Sequence, residues 1–230
     1  MGRTGPLAVA LATVAVVALL ALALLGQGRG AGEPATRSAP AGTSGSSTST
    51  SGSAGTGTGS SRDDPETEQD VQITLVGDSL IEWGEWAPLL EGEVTNRGVA
   101  GETTAQIADR ARGALAGDED VVVLWTGTND VAQGLPTERT RADLVRLLGE
   151  VAAGAPEASV VILEVPPLAW APDRVDAVNA AIAEEAGAVG ATVVPVAQAL
   201  AAEGARSSDG VHIEPPGYEA VAELIRQELR

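Results

Sequence analysis

Four short apolar runs and a weaker fifth, spaced so that a helical pattern fits between each pair, constrain this chain more than any other feature. They lie at 71–76 (VQITLV), 93–99 (EVTNRGV), 121–126 (VVVLWT), 160–165 (VVILEV) and 192–196 (TVVPV). Runs such as VVVLWT do not alternate with polar residues, so both faces of the strand must be covered. Helical patterns near 80–90, 103–116, 137–153, 173–188, 197–204 and 217–229 supply that cover. Strands alternating with helices predict an α/β domain, a three-layer α/β/α sandwich around a five-stranded parallel sheet. Ligands of such folds bind beyond the carboxyl ends of the strands. The loops beginning at Gly77, Val99, Gly127, Pro166 and Ser207 are therefore where chemistry is expected.

This domain takes up 71–230, an ordinary size for a single core. The chain changes character twice before it. Residues 7–25 (LAVALATVAVVALLALALL) are uncharged and carry one hydroxyl, Thr13. As a helix they rise about 28 Å, close to the hydrocarbon thickness of a bilayer. Residues 1–25 read as a signal peptide or a membrane anchor. The apolar core outruns the usual signal range of about 7–15 residues, which favours an anchor. Ala21-Leu22-Ala23 and Gly26-Gln27-Gly28 offer small-x-small cleavage sites, which favour a signal. Residues 26–70 are almost entirely Gly, Ser, Thr, Ala and Pro, ending in the acidic cluster Asp63, Asp64, Glu66, Glu68 and Asp70. They hold too little apolar surface to offset their ordering entropy and read as a disordered linker, about 37 Å across as a random coil. The expectation is an extracytoplasmic domain, secreted or tethered to the membrane by residues 7–25.

Composition closes off several chemistries. All 14 basic residues are arginine, there is no cysteine, and His212 is the only histidine. Without lysine there is no Schiff base and no phosphate-loop lysine. Without cysteine there is no thiolate nucleophile, disulfide or iron–sulfur cluster. One histidine excludes a zinc site of the usual multi-histidine kind. A net charge of -18 disfavours nucleic acid as a partner. Any step that needs imidazole must use His212.

Four of the loops carry residue types suited to acyl transfer, each with a plainer alternative. Gly77-Asp78-Ser79-Leu80 follows the first strand, so Ser79 sits at a strand-to-helix junction. There it is either an exposed nucleophile beside unpaired N–H groups or a helix cap. In the stretch 96–104 (NRGVAGETT), Gly101 permits close backbone approach to a ligand, or simply precedes a helix capped by Glu102 or Thr103. Gly127-Thr128-Asn129-Asp130 presents an uncharged amide donor, or a common Asn-Asp turn. Asp209 and His212, three apart, suit a carboxylate-oriented imidazole base, or an exposed histidine in the loop before the last helix.

In this order, GDSL at 77–80, NRGVAGETT at 96–104, GTND at 127–130, DGVH at 209–212 and the trailing IEPPGYEAVAELI at 213–225 resemble the SGNH hydrolases, or GDSL esterases and lipases. The similarity is greatest to the compact branch of platelet-activating-factor acetylhydrolase-like and arylesterase-like enzymes. It covers essentially all of 71–230 and implies a flavodoxin-like fold and an esterase without metal or organic cofactor. It assigns Ser79 as nucleophile, His212 as base and Asp209 as its orienting carboxylate. The oxyanion hole falls to Ser79, Gly101 and Asn129. Ile81 and Trp83 replace the Thr and Gly frequent after the nucleophile, which bears on substrate shape. Trp170, and one of Trp83 and Trp86, are candidate substrate walls, whereas Trp125 belongs to the core. The expected partners are a small-molecule, glycan or lipid ester and, through an uncleaved N-terminus, the membrane; a monomer is expected. Two rival readings share the fold: a non-catalytic surface-binding module and a flavodoxin-like binder of a phosphorylated ligand.

Overall fold

The computed structural model describes residues 70–202 and 204–230. The expected membrane segment at 7–25 and all but the last residue of the expected linker lie outside the described residues. Five strands form one sheet: β1 (Gln72–Gly77), β2 (Glu93–Gly98), β3 (Val121–Trp125), β4 (Ser159–Leu163) and β5 (Thr192–Val194). All four pairings are parallel and the order is β2-β1-β3-β4-β5. The sheet and its flanking helices are the α/β arrangement expected from the sequence.

Side-chain alternation along the strands feeds two separate cores. Val76, Val122, Leu124 and Ile162 face α2 (Thr104–Ala114), α4 (Thr137–Gly154) and α5 (Pro172–Val189). Ile73, Leu75, Val123, Trp125, Val161 and Leu163 face α1 (Ser79–Glu82) and the C-terminal α6 (Pro215–Glu228). The chain steps outward from β1 to β2, then returns past β1 to β3. A reversal of direction with right-handed crossovers must change faces, which is why α1 and α2 lie on opposite sides of the sheet. The reversal also leaves a crevice between the carboxyl ends of β1 and β3, where such folds place their sites.

Three expected elements differ. The helix expected over 80–90 is a single turn, α1. The Ile81 carbonyl accepts from the Trp86 indole N–H at 2.9 Å and from Asn96 Nδ2 at 2.9 Å. Pro88 has no N–H with which to continue a helical ladder. The pattern at 197–204 forms only a 3-10 turn, Ala199–Ala201. Conversely, the loop after β3 winds into a helix, α3 (Thr128–Gln133), bounded by left-handed glycines at 127 and 134. Among the described residues no helix is long and apolar enough to cross a membrane.

Candidate active site

The β1–α1 junction is shaped by contacts that tolerate little change. A Cβ on Gly77 would stand 2.4 Å from the Trp125 carbonyl oxygen and 2.6 Å from Ile81 Cγ1, so only glycine lets the chain turn here. Asp78 is the helix cap, accepting from the Leu80 N–H at 2.9 Å. That role leaves Ser79 as the first helical residue, rather than the cap, with its side chain directed at the crevice. Ser79 Oγ lies 3.0 Å from His212 Nε2.

His212 arrives from the other end of the chain on a turn built by Asp209. One carboxylate oxygen of Asp209 accepts from the Val211 and His212 N–H groups at 2.8 and 2.9 Å; the other lies 2.6 Å from His212 Nδ1. With Nδ1–H donated to Asp209, the network leaves Nε2 unprotonated and able to accept from Ser79. Burial pushes the Asp209 carboxyl up, but the hydrogen bonds from His212 and from the turn outweigh it and hold it below its ordinary value. Arg206 clamps the turn: its guanidinium donates to the Gly210 carbonyl at 2.5 Å and to the Pro167 carbonyl. The loop after β4, which carries Trp170, is thereby tied to the His212 turn. Partial burial lowers the Arg206 guanidinium, against the raising effect of neighbouring Asp209.

The β2–α2 loop is fastened to α1 from several sides. A Cβ on Gly98 would sit 2.2 Å from the Glu82 nitrogen, so β2 and α1 touch backbone to backbone. Asn96 caps this corner, accepting from Gly98 N–H at 2.9 Å while its amide binds carbonyls of α1. Glu82 accepts from Ala100 N–H at 2.9 Å. Gly101 has φ +81, and a Cβ there would meet nothing within 4 Å. Thr103 is the cap of α2, in a reciprocal pair with Gln106. Arg110 joins this loop to the nucleophile turn, donating to Glu102 at 2.7 Å and to the Gly77 carbonyl at 3.0 Å.

Asn129, the second residue of α3, links the remaining parts. Its Nδ2 donates to Asp78 Oδ2 at 3.1 Å and to the Glu102 carbonyl at 2.9 Å. The structure thus brings Ser79, Asp209 and His212 into one contact chain and sets Asn129 against the residues flanking Ser79 and Gly101. Asp78 is 1% exposed. Burial, added to by the charge of Asp130 and opposed by the Leu80 and Asn129 donors, lifts its carboxyl to about 7. Of the tryptophans, Trp125 and Trp86 are buried, whereas Trp83 is 54% and Trp170 36% exposed. Trp83 lies against His212 with ring centroids 4.1 Å apart, tilted by 34°. A cleft of about 830 Å³ lies elsewhere, lined by Val71, Asp120, Ser159 and Thr192 at the amino ends of the strands. Parallel-sheet ligands bind at the opposite end, so the serine and histidine mark the site better than that cleft does. No three His, Asp or Glu side chains among the described residues stand close enough to hold a metal ion.

Sequence reasoning missed the roles of Asp78, Arg206, Arg110 and Glu102. Asp78 carried a readable signal, since aspartate before a helix is a favoured cap. Arg206 and Arg110 each reach a carbonyl far along the chain, that of Pro167 and of Gly77, and Glu102 shows its part only as the ion-pair partner of Arg110.

The profile of the GDSL-like Lipase/Acylhydrolase family matches residues 53–220. Among curated proteins no sequence relative was found. Solved structures with the same fold include a Streptococcus pneumonia protein provisionally described as a platelet activating factor. It shows 23% identity and a TM-score of 0.63 over 72% of this chain and 87% of that one. A psychrotrophic esterase from Pseudoalteromonas sp., in a form inhibited by monoethylphosphonate, gives 17% identity and a TM-score of 0.58 over 70% of this chain and 99% of that one. A carbohydrate acetylesterase from Sinorhizobium meliloti gives 17% identity and a TM-score of 0.58 over 70% of this chain and 98% of that one. The profile spans well over half the sequence, and its glycine-aspartate-serine-leucine block falls at the carboxyl end of β1 in a fold shared with esterases: this chain belongs to the GDSL-like lipase/acylhydrolase family and is a carboxylic ester hydrolase.

Proposed function

We propose that the chain is a serine esterase acting on short-chain acyl esters, acetyl esters above all, through a covalent acyl-enzyme. The observation that carries this reading is the unbroken contact chain from Ser79 through His212 to Asp209. Ser79 Oγ attacks the ester carbonyl carbon as its proton passes to His212 Nε2. Asp209 fixes the Nδ1–H tautomer and balances the imidazolium charge. The tetrahedral oxyanion takes hydrogen bonds from the backbone N–H groups of Ser79 and Gly101 and from Asn129 Nδ2. To serve it, Asn129 exchanges or shares its bond to the Glu102 carbonyl while Asp78 keeps the amide oriented. Collapse of the intermediate expels the alcohol, protonated by His212. Water, deprotonated by His212, then attacks the acyl carbon; Ser79 leaves with the proton and the acid is released.

Trp83 and Trp170, exposed beside the His212 turn and on the loop clamped to it, serve as walls for the substrate. The short loops around Ser79 supply little material for an acyl tunnel, which supports short acyl groups. Residues 1–25 act as a leader or anchor and 26–70 as a tether, placing the enzyme outside the cytoplasm where glycan, lipid or small-molecule esters are available. The test compares nitrophenyl acetate with its eight-carbon homologue and with an acetylated sugar. The acetyl esters are expected to be hydrolysed faster, and Ser79→Ala and His212→Ala to abolish turnover. Wild-type turnover by Ser79→Ala would overturn the mechanism; preference for the longer acyl chain would overturn the substrate class.

A further inference from the structure

We infer that Trp83 is a positioning residue for the base: its indole face holds the His212 ring between Asp209 and Ser79 and stabilises the imidazolium formed as Ser79 loses its proton. This rests on the Ser79–His212 mechanism above and adds a residue to it.

Three observations carry the inference. The first is contact. Ring centroids 4.1 Å apart lie well inside the range of about 6 Å over which an aromatic face attracts a cation. The second is placement. Trp83 ends α1, and its N–H donates to the Ser79 carbonyl at 3.1 Å. Nucleophile and indole therefore ride on one turn of helix, and the imidazole meets both. The third is exposure. Trp86, three residues on, fills the core and satisfies its indole N–H on the Ile81 carbonyl. Trp83 remains 54% exposed, so core packing does not account for its place.

A stabilising face is useful here because the orienting carboxylate is wet. The Asp209 side chain is 46% exposed, and water and salt screen an exposed carboxylate. Indole covers a face of the imidazole that the carboxylate, bound at the ring edge, cannot. His212 meets Asp209 on its own turn and Ser79 on α1, with Arg206 beside Asp209. Substitution at residue 83 removes none of these groups.

The test measures kcat/KM on an activated acetyl ester across pH for wild type, Trp83→Phe and Trp83→Leu, with Ser79→Ala alongside. The ring-proton signals of the sole histidine are followed by NMR over the same range. Leucine keeps the apolar cover but offers no π face. The expected result for Trp83→Leu is a roughly 3- to 30-fold loss of kcat/KM, mainly in kcat. Its acid limb and histidine titration both move to lower pH, because the imidazolium holds its proton less firmly. Trp83→Phe should retain most of the rate and most of the limb position. A Leu variant whose acid limb and histidine titration match wild type would overturn the inference. So would one that raises KM alone, which would leave Trp83 as a substrate wall only. The double variant Ser79→Ala/Trp83→Leu separates the two layers. Turnover by Ser79→Ala would sink the serine mechanism, while the histidine titration of the double variant against Ser79→Ala still reports the indole–imidazole contact.

Discussion

Replacing Asp78 by asparagine should change how stability depends on pH, and by an amount that can be worked from the site. Asp78 is 1% exposed and lies next to the nucleophile. Burial and the nearby charge of Asp130 lift its carboxyl from 3.8 to about 7 in the fold. A folded value above the unfolded one means that ionisation costs more in the native state than in the unfolded chain. Its contribution to stability is therefore full below about pH 4 and lost as pH rises through about 7. A rise from 3.8 to about 7 corresponds to about 4 kcal/mol between those limits. Asparagine has nearly the same shape, can still accept from Leu80 N–H, and does not titrate. Urea unfolding of wild type and Asp78→Asn from pH 4 to 8 reads the difference directly, because every other titrating group is common to both. At pH 4 the variant should be no more stable than wild type, since its amide opposes the amide of Asn129. Toward pH 8 the difference should swing in favour of Asp78→Asn by about 4 kcal/mol. Parallel stability curves across the range would refute the reasoning, and would mean that Asp78 ionises as easily in the fold as in water.

Other substitutions test separate parts of the site. Gly77→Ala puts a Cβ 2.4 Å from the fixed Trp125 carbonyl oxygen and should cost at least about 2 kcal/mol in urea unfolding. Gly101→Ala meets open space despite its φ of +81 and should cost only about 1–2 kcal/mol. Asn129→Ala should lower kcat by about 100- to 1,000-fold with KM little changed, as expected for the loss of one oxyanion donor. Arg206→Ala releases the Gly210 and Pro167 carbonyls that hold the His212 turn, and steady-state kinetics should show kcat falling more than binding.

What could be read in the sequence was whatever local pattern determines. β1 and β3 were legible because runs buried on both faces leave a continuous apolar signature; Val121 to Trp125 are all buried, whereas β2 at the sheet edge has no buried residue and left a weaker pattern. The serine, glycine, asparagine and Asp–His blocks each left a plainer alternative open, and it was their order along the chain, through the family resemblance, that singled them out; the fold sets Ser79, His212 and Asp209 in contact. The extent of α1 was not, because side chains from elsewhere intervene: Asn96 and Trp86 both claim the Ile81 carbonyl. The helix after Gly127 was hidden because GTND satisfies turn chemistry equally well, and only the N–H of Val131 reaching the Gly127 carbonyl shows the turn continuing. The elevated carboxyl of Asp78 comes from burial and from the charge of Asp130, and the clamp at Arg206 reaches the Pro167 carbonyl; both bring together residues tens of positions apart, which no spacing rule reports.

In the proposed mechanism Ser79 Oγ is the atom acylated during turnover. The direct measurement is reaction with a serine-reactive phosphonate, followed by intact mass and peptide mapping, on wild type and His212→Ala. One phosphonyl group per chain is expected, on Ser79, formed in step with the loss of esterase activity and greatly slowed without His212. Modification at another residue, or full activity in protein whose Ser79 is quantitatively phosphonylated, would contradict it.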